Sequence, residues 1–137
     1  MLTVSRTVCF SAAHRLHSPE LTDEQNCAVF GKCATPGGHG HNYALTVSVT
    51  GPHDLKTGMI VNVTLLHEVL LREVVNELDH RDLNTDVPFL RGVVTTMENV
   101  ALVLAHRLEE PLAAIGVRLV RLELAESERN KVTLEHA

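Results

Sequence analysis

The sequence predicts an α+β domain over residues 1–137: a four-stranded antiparallel sheet with two helices on one face, in the order β-β-α-α-β-β. Three patterns carry that prediction. Apolar and polar residues alternate over 2–14 and 41–50, the period of half-buried strands. The period changes to that of a helix over 64–78 and 96–110. Alternation returns over 120–126 and 132–136 and supplies the last two strands.

In the first strand Leu2, Val4, Val8, Phe10 and Ala12 share a face, interrupted by Arg6 and continued by His14. In the second, His41, Tyr43, Leu45, Val47 and Val49 fall together. The opposite faces carry Thr3, Ser5, Thr7, Thr46 and Ser48, small and polar, suited to water or to the lumen of a ring. Between these strands runs a long connection, 15–38, with Pro19, Pro36 and a glycine pair; connections this long inside a domain are usually functional. Turns follow at Gly51-Pro52-His53-Asp54 and Thr57-Gly58-Met59. The first helix presents Leu66, Val69, Leu70, Val74 and Leu78 as one stripe, with Thr64 as its expected N-cap. The second presents Met97, Val100, Ala101, Leu104 and Leu108; Thr95 with Glu98 matches a capping box, and Pro111 is expected to end or kink it. Val120, Leu122, Leu124 and Glu126 share a face of the third strand, and Val132, Leu134 and His136 follow in the fourth.

Aromatic residues make up only 3% of the chain, so the core must rest on Leu, Val and Ala. No apolar run approaches a bilayer span, and no charged-then-apolar leader opens the chain. The three cysteines, Cys9, Cys27 and Cys33, are odd in number and lack CxxC spacing, which points to reduced thiols. The expectation is a soluble, cytoplasmic protein with no membrane partner. A net charge of −5, with no basic stripe interleaved with aromatics, argues against nucleic acid as a partner.

The chemistry gathers in Gly31-Lys32-Cys33-Ala34-Thr35-Pro36-Gly37-Gly38-His39-Gly40-His41. On a strand, residues i and i+2 project from one face, so His39 and His41 can reach one metal ion. His14, ending the first strand on its apolar face, supplies a third imidazole. Three neutral imidazoles with an open fourth position describe a catalytic zinc site, although spacing alone admits iron or nickel as well. Cys33 has an even claim to be a plain free thiol or a functional one; beside a cation, its pKa would fall and it would serve as a base. Asp79-His80 follows the first helix directly. Alone it reads as a histidine at a helix C-terminus, and otherwise as a carboxylate orienting an imidazole. Glu126, on the inward face after aliphatic residues, must be paired or must bind a ligand with neighbouring N–H groups, unless the strand end is wet.

At these residues the chain resembles the 6-pyruvoyltetrahydropterin synthase family. The matching pieces are Phe10-Ser11-Ala12-Ala13-His14-Arg15-Leu16 and Val29-Phe30-Gly31-Lys32-Cys33 through Asn42-Tyr43. They continue with Thr57-Gly58-Met59, Leu78-Asp79-His80, Asp86-Val87-Pro88 and Thr96-Met97-Glu98-Asn99-Val100. They run in order over nearly the whole chain. The resemblance implies a tunnelling fold, whose subunits join their sheets into a barrel, commonly as homo-hexamers of two trimers. It implies conversion of 7,8-dihydroneopterin triphosphate to 6-pyruvoyl-tetrahydropterin with loss of triphosphate. Carried over by motif, His14, His39 and His41 hold Zn2+, and Cys33 is the base. Asp79 and His80 assist it from a neighbouring subunit, Glu126 anchors the pterin, and Thr96 and Glu98 line its pocket.

The related 6-carboxytetrahydropterin synthases of deazapurine biosynthesis share this fold, zinc ligands and substrate. They typically have a shorter gap between the cysteine and the His-Gly-His pair; here Ala34 to Gly38 intervene, as in the pyruvoyl-forming group. A noncatalytic pterin- or zinc-binding module is the remaining alternative. Cys9, where many members have Ser, Met97 between Thr96 and Glu98, and the terminal Glu135-His136-Ala137 depart from the family pattern.

Overall fold

Strand β1 (Val4–His14) and strand β2 (His39–Thr50) form a long antiparallel ladder running from Val4 opposite Val49 to His14 opposite His39. The computed structural model describes residues 1–136; Ala137, the last residue of the expected domain, lies outside them. Helix α1 spans Asp23–Phe30, and a 3-10 turn, Gly31–Ala34, leads into β2. Helix α2 (Val63–Leu70), a π turn (Leu71–Val75) and the short α3 (Asn76–Leu78) follow as one helical stretch. Then come β3 (Arg81–Asp82), a 3-10 turn (Pro88–Leu90), α4 (Met97–Ala114), β4 (Arg118–Ala125) and β5 (Lys131–Glu135).

The sheet therefore has five strands in the order β3-β1-β2-β4-β5, not four, and it is mixed. The extra strand, β3, pairs parallel to β1 at Ala12 and Ala13. It is too short to leave a periodic signature, so only the tertiary pairing reveals it. Among the described residues, no strand pairs with the flank of β1 beyond β3 over Val4–Phe10, and β5 is the other edge.

The predicted helical stripe is the core. Leu66, Leu70, Val74 and Leu78 are fully buried, with Val69 nearly so. Each such side chain is worth about 1.5–3 kcal/mol relative to exposure. They pack with Leu104, Leu108 and Leu112 of α4 against Val8, Phe10, Leu45, Val47, Leu122 and Leu124 of the sheet. The other sheet face carries cross-strand pairs of small polar groups: Ser5 with Ser48, Thr7 with Thr46 and Ser11 with Asn42, each at 2.7–2.8 Å.

Several local expectations shift. α1 lies inside the predicted connection. It has a Thr22–Gln25 capping box but no apolar stripe, and its one buried residue is Asn26, whose side chain bonds Ser18, Leu21 and Thr22. The cap of α2 is Asn62, accepting from the Thr64 amide, rather than Thr64 itself. α4 is capped by Thr96, not by a Thr95–Glu98 box, and runs past Pro111 to Ala114 because Leu112 is fully buried. A bulge between Ser48 and Val49 leaves Val120 unpaired with β2, so Leu119 takes its place opposite Val49. Among the described residues, no helix is long and apolar enough to cross a membrane.

Candidate metal centre and active site

The ladder of β1 and β2 brings three histidines to one end of the sheet's core face. His14 pairs with His39, and His41 lies opposite Ala12, two residues along each strand. The ring centroids stand 4.7 Å (His14–His39), 4.8 Å (His39–His41) and 5.1 Å (His14–His41) apart. One nitrogen from each ring falls within 4.8 Å of the others. The Nε2 atoms of His14 and His39 are 3.1 Å apart. Imidazole nitrogens gathered this closely offer one divalent ion three ligands at once, so the cluster is able to hold a metal ion.

The protonation states fit as well. Nδ1 of the buried His14 donates to the Thr95 carbonyl at 2.8 Å, so the neutral ring has its lone pair on Nε2, facing His39. Burial holds His14 below the ordinary imidazole range, outweighing the opposing effect of the Thr95 bond. Burial also lowers His39, helped by neighbouring His41. Neutral imidazoles are the metal-binding form.

Gly38 makes the approach possible. Its φ is +70°, and a Cβ there would lie 2.9 Å from the His14 carbonyl oxygen. Gly38→Ala is expected to cost ~1–2 kcal/mol from the left-handed backbone alone and to displace His39. Urea unfolding with metal analysis checks this; unchanged stability and metal content would contradict it.

Glu126 begins the turn after β4, its amide bonded to the Asn130 carbonyl. Its side chain is 18% exposed, with Oε2 3.8 Å from His41 Nε2. Tyr43 packs beneath, stacked on Phe10; burial, then the Glu126 charge, raises its phenol well above the ordinary range. The Glu126 carboxyl group thus stands beside the histidine cluster as a hydrogen-bond acceptor.

Cys33 is half-buried in the Gly31–Ala34 turn. That turn is tied to the chain just past His14. The Leu16 amide donates to the Cys33 carbonyl at 2.8 Å, and Arg15 Nε donates to the Ala34 carbonyl at 2.7 Å. Thr96 and Glu98 open α4, directly after the Thr95 that holds His14; Thr96 is half-buried and caps the helix, while Glu98 is exposed in its first turn.

Asp79 and His80 dock on the free flank of β1. The Ser11 amide donates to Asp79 Oδ1 at 2.8 Å, and the His80 amide donates to the Ser11 carbonyl. The Ser11 bond first, then the bond with His80, holds the Asp79 carboxyl below its usual range. Asp79 Oδ2 lies 2.8 Å from His80 Nδ1, and His80 takes a left-handed backbone, φ +60°. The His80 ring is 82% exposed and opens onto a surface pocket with Ser11, Ala13, Asn42 and His41. Thus His14, His39, His41 and Glu126 come together within the chain, whereas the Asp79–His80 pair faces outward.

Sequence reasoning missed Asn84 and the role of Thr95. Asn84 bonds both backbone groups of Arg15, and Thr95 is 1% exposed with its carbonyl on His14. The Thr-Thr doublet before the helix was the available signal, since one threonine suffices for a cap.

Known proteins resemble this chain in sequence and in fold. A family model described as 6-pyruvoyl tetrahydropterin synthase matches residues 3–137. The chain is 43% identical over 129 residues to a human 6-pyruvoyl tetrahydrobiopterin synthase, covering 94% of this chain and 88% of that one. It is 38% identical over 99 residues to a dihydroneopterin monophosphate aldolase of Pyrococcus furiosus, covering 71% of this chain and 77% of the relative. The solved 6-pyruvoyl tetrahydropterin synthase of Caenorhabditis elegans superposes with a TM-score of 0.90 at 36% identity, over 99% of this chain and 96% of that one. The chain belongs to the 6-pyruvoyl tetrahydropterin synthase family.

Proposed function

We propose that this protein is a zinc-dependent carbon–oxygen lyase that converts 7,8-dihydroneopterin triphosphate to 6-pyruvoyl-tetrahydropterin, releasing triphosphate, a step of tetrahydrobiopterin biosynthesis. The observation that carries the reading is the convergence of His14, His39 and His41 with the Glu126 carboxylate at one sheet end. Family membership supplies the substrate class.

His14, His39 and His41 would hold the zinc ion, which when bound would supply Lewis acidity toward the hydroxyls of the substrate side chain. Glu126 accepts hydrogen bonds from the aminopyrimidinone edge of the pterin, and Thr96 and Glu98 line the same pocket. Cys33, as thiolate, takes a proton from the side-chain carbon. Asp79 holds His80 in one tautomer and stabilises its cation while His80 relays protons. Triphosphate leaves by elimination. The side chain is oxidised and the ring reduced, so both electrons stay within the substrate and no redox cofactor is needed.

Asp79 and His80 serve the site of a neighbouring subunit in a homo-hexamer of two trimers. Three observations support sharing: the exposed His80 ring, the flank of β1 that no described strand pairs, and the polar sheet face that no helix covers. The domain spans 1–137. Free thiols at Cys9, Cys27 and Cys33 support a reducing, cytoplasmic setting.

Subunit mixing tests the shared site. Cys33→Ala and His80→Ala are each expected to release almost no triphosphate from 7,8-dihydroneopterin triphosphate. After subunit exchange in equal amounts, about a quarter of wild-type release should return, because that share of interfaces joins an intact thiol to an intact histidine. No recovery would place both residues in one subunit's site or remove one from the reaction.

A further inference from the structure

We infer that Asn84 is a positioning residue that holds the ligand His14 and the Cys33 turn in one register. The inference rests on the three-histidine cluster being a metal centre. Asn84 Oδ1 accepts from the Arg15 amide at 2.8 Å, and Nδ2 donates to the Arg15 carbonyl at 3.0 Å. Only one orientation of the amide satisfies both groups. The last β1–β2 pair is His14 with His39, so Arg15 is the first residue without a ladder partner, and Asn84 replaces one with its side chain.

Asn84 is itself anchored. It follows β3, where the Leu83 amide donates to the Ala13 carbonyl at 2.8 Å, and its own amide donates to Asp82 Oδ1 at 2.8 Å. From Arg15 the consequences run two ways. Its predecessor is His14, whose ring is held by the Thr95 carbonyl; the Thr95 hydroxyl lies 3.4 Å from both the Arg15 carbonyl and Asn84 Oδ1. Its own guanidinium holds the Ala34 carbonyl, and the next residue, Leu16, holds the Cys33 carbonyl. Moving Arg15 therefore moves a metal ligand and the base together.

Cobalt titration of the metal-free full chain tests this, with the visible d–d bands as the signature of coordination geometry. Asn84→Ala is expected to weaken Co2+ binding about 10–100-fold and to change the spectrum. Asn84→Asp keeps the acceptors but offers the Arg15 carbonyl no donor, and should fall between Asn84→Ala and wild type. Thr50→Ala is the stability control: it loses a 2.7 Å bond to the Leu2 carbonyl at the far end of β2, and should bind Co2+ as wild type does even with a comparable loss of Tm. If Asn84→Ala does not fold, Asn84→Asp carries the comparison. Wild-type affinity and spectrum in the folded Asn84 variants would overturn the inference while leaving the metal centre intact. No cobalt spectrum in wild type would remove the metal centre and this inference with it.

Discussion

Cys33→Ala is expected to keep its full complement of zinc and to lose turnover by about 10²–10⁴-fold, the range for removing a positioned acid–base group. The separation of the two effects follows from the geometry. Cys33 is not one of the three clustered ligands, and its turn is held through the backbone carbonyls of Cys33 and Ala34 rather than through sulfur. Deleting Sγ therefore leaves those bonds in place. Cys33→Ser should be nearly as impaired, because a hydroxyl is far less acidic than a thiol. Metal analysis and initial rates on the same preparations check the result; a fully active Cys33→Ala protein would remove the thiol from the reaction.

The second large effect concerns the ligands. His39→Ala is expected to weaken zinc binding by at least about 100-fold, more than loss of an outer partner does, and to abolish turnover with it. Chelation should lower the Tm of wild type, since a metal bound only to the folded chain contributes about 2.7 kcal/mol at 100 times its Kd, while His39→Ala should melt at one temperature with or without chelator. The pH dependence has a definite sign. Burial lowers His14 and His39, so metal affinity is expected to weaken as pH falls below the ordinary imidazole range and protons compete for these two ligands. Over that range the unfolded chain takes up protons that the folded apo-protein excludes, so apo stability also falls as pH decreases. Wild-type zinc affinity in His39→Ala would contradict the assignment of the cluster.

The parts of the fold visible in the sequence are those with a period. The stripe Leu66, Val69, Leu70, Val74 and Leu78 is buried as expected, and the alternation of β1 and β2 runs on into His14, His39 and His41. That is why the cluster is legible in the sequence: three polar residues stand where the pattern calls for apolar ones. What stayed hidden depends on contacts between distant segments. β3 exists only because Arg81 and Asp82 lie along Ala12 and Ala13. α1 is organised by the buried Asn26 side chain, not by an apolar face. The cap of α4 moves one residue, from Thr95 to Thr96, because the Thr95 carbonyl is engaged by His14. No local pattern marks that demand. The Glu126 position was legible as a carboxylate on an apolar face, whereas the bulge that reassigns Val120 was not.

Mass spectrometry of the product formed from 7,8-dihydroneopterin triphosphate by the zinc-loaded protein identifies the reaction. The zinc-dependent lyase reading requires 6-pyruvoyl-tetrahydropterin and free triphosphate from wild type, with neither from Cys33→Ala. A 6-carboxy product with released acetaldehyde, or no product from a zinc-loaded protein, would contradict it.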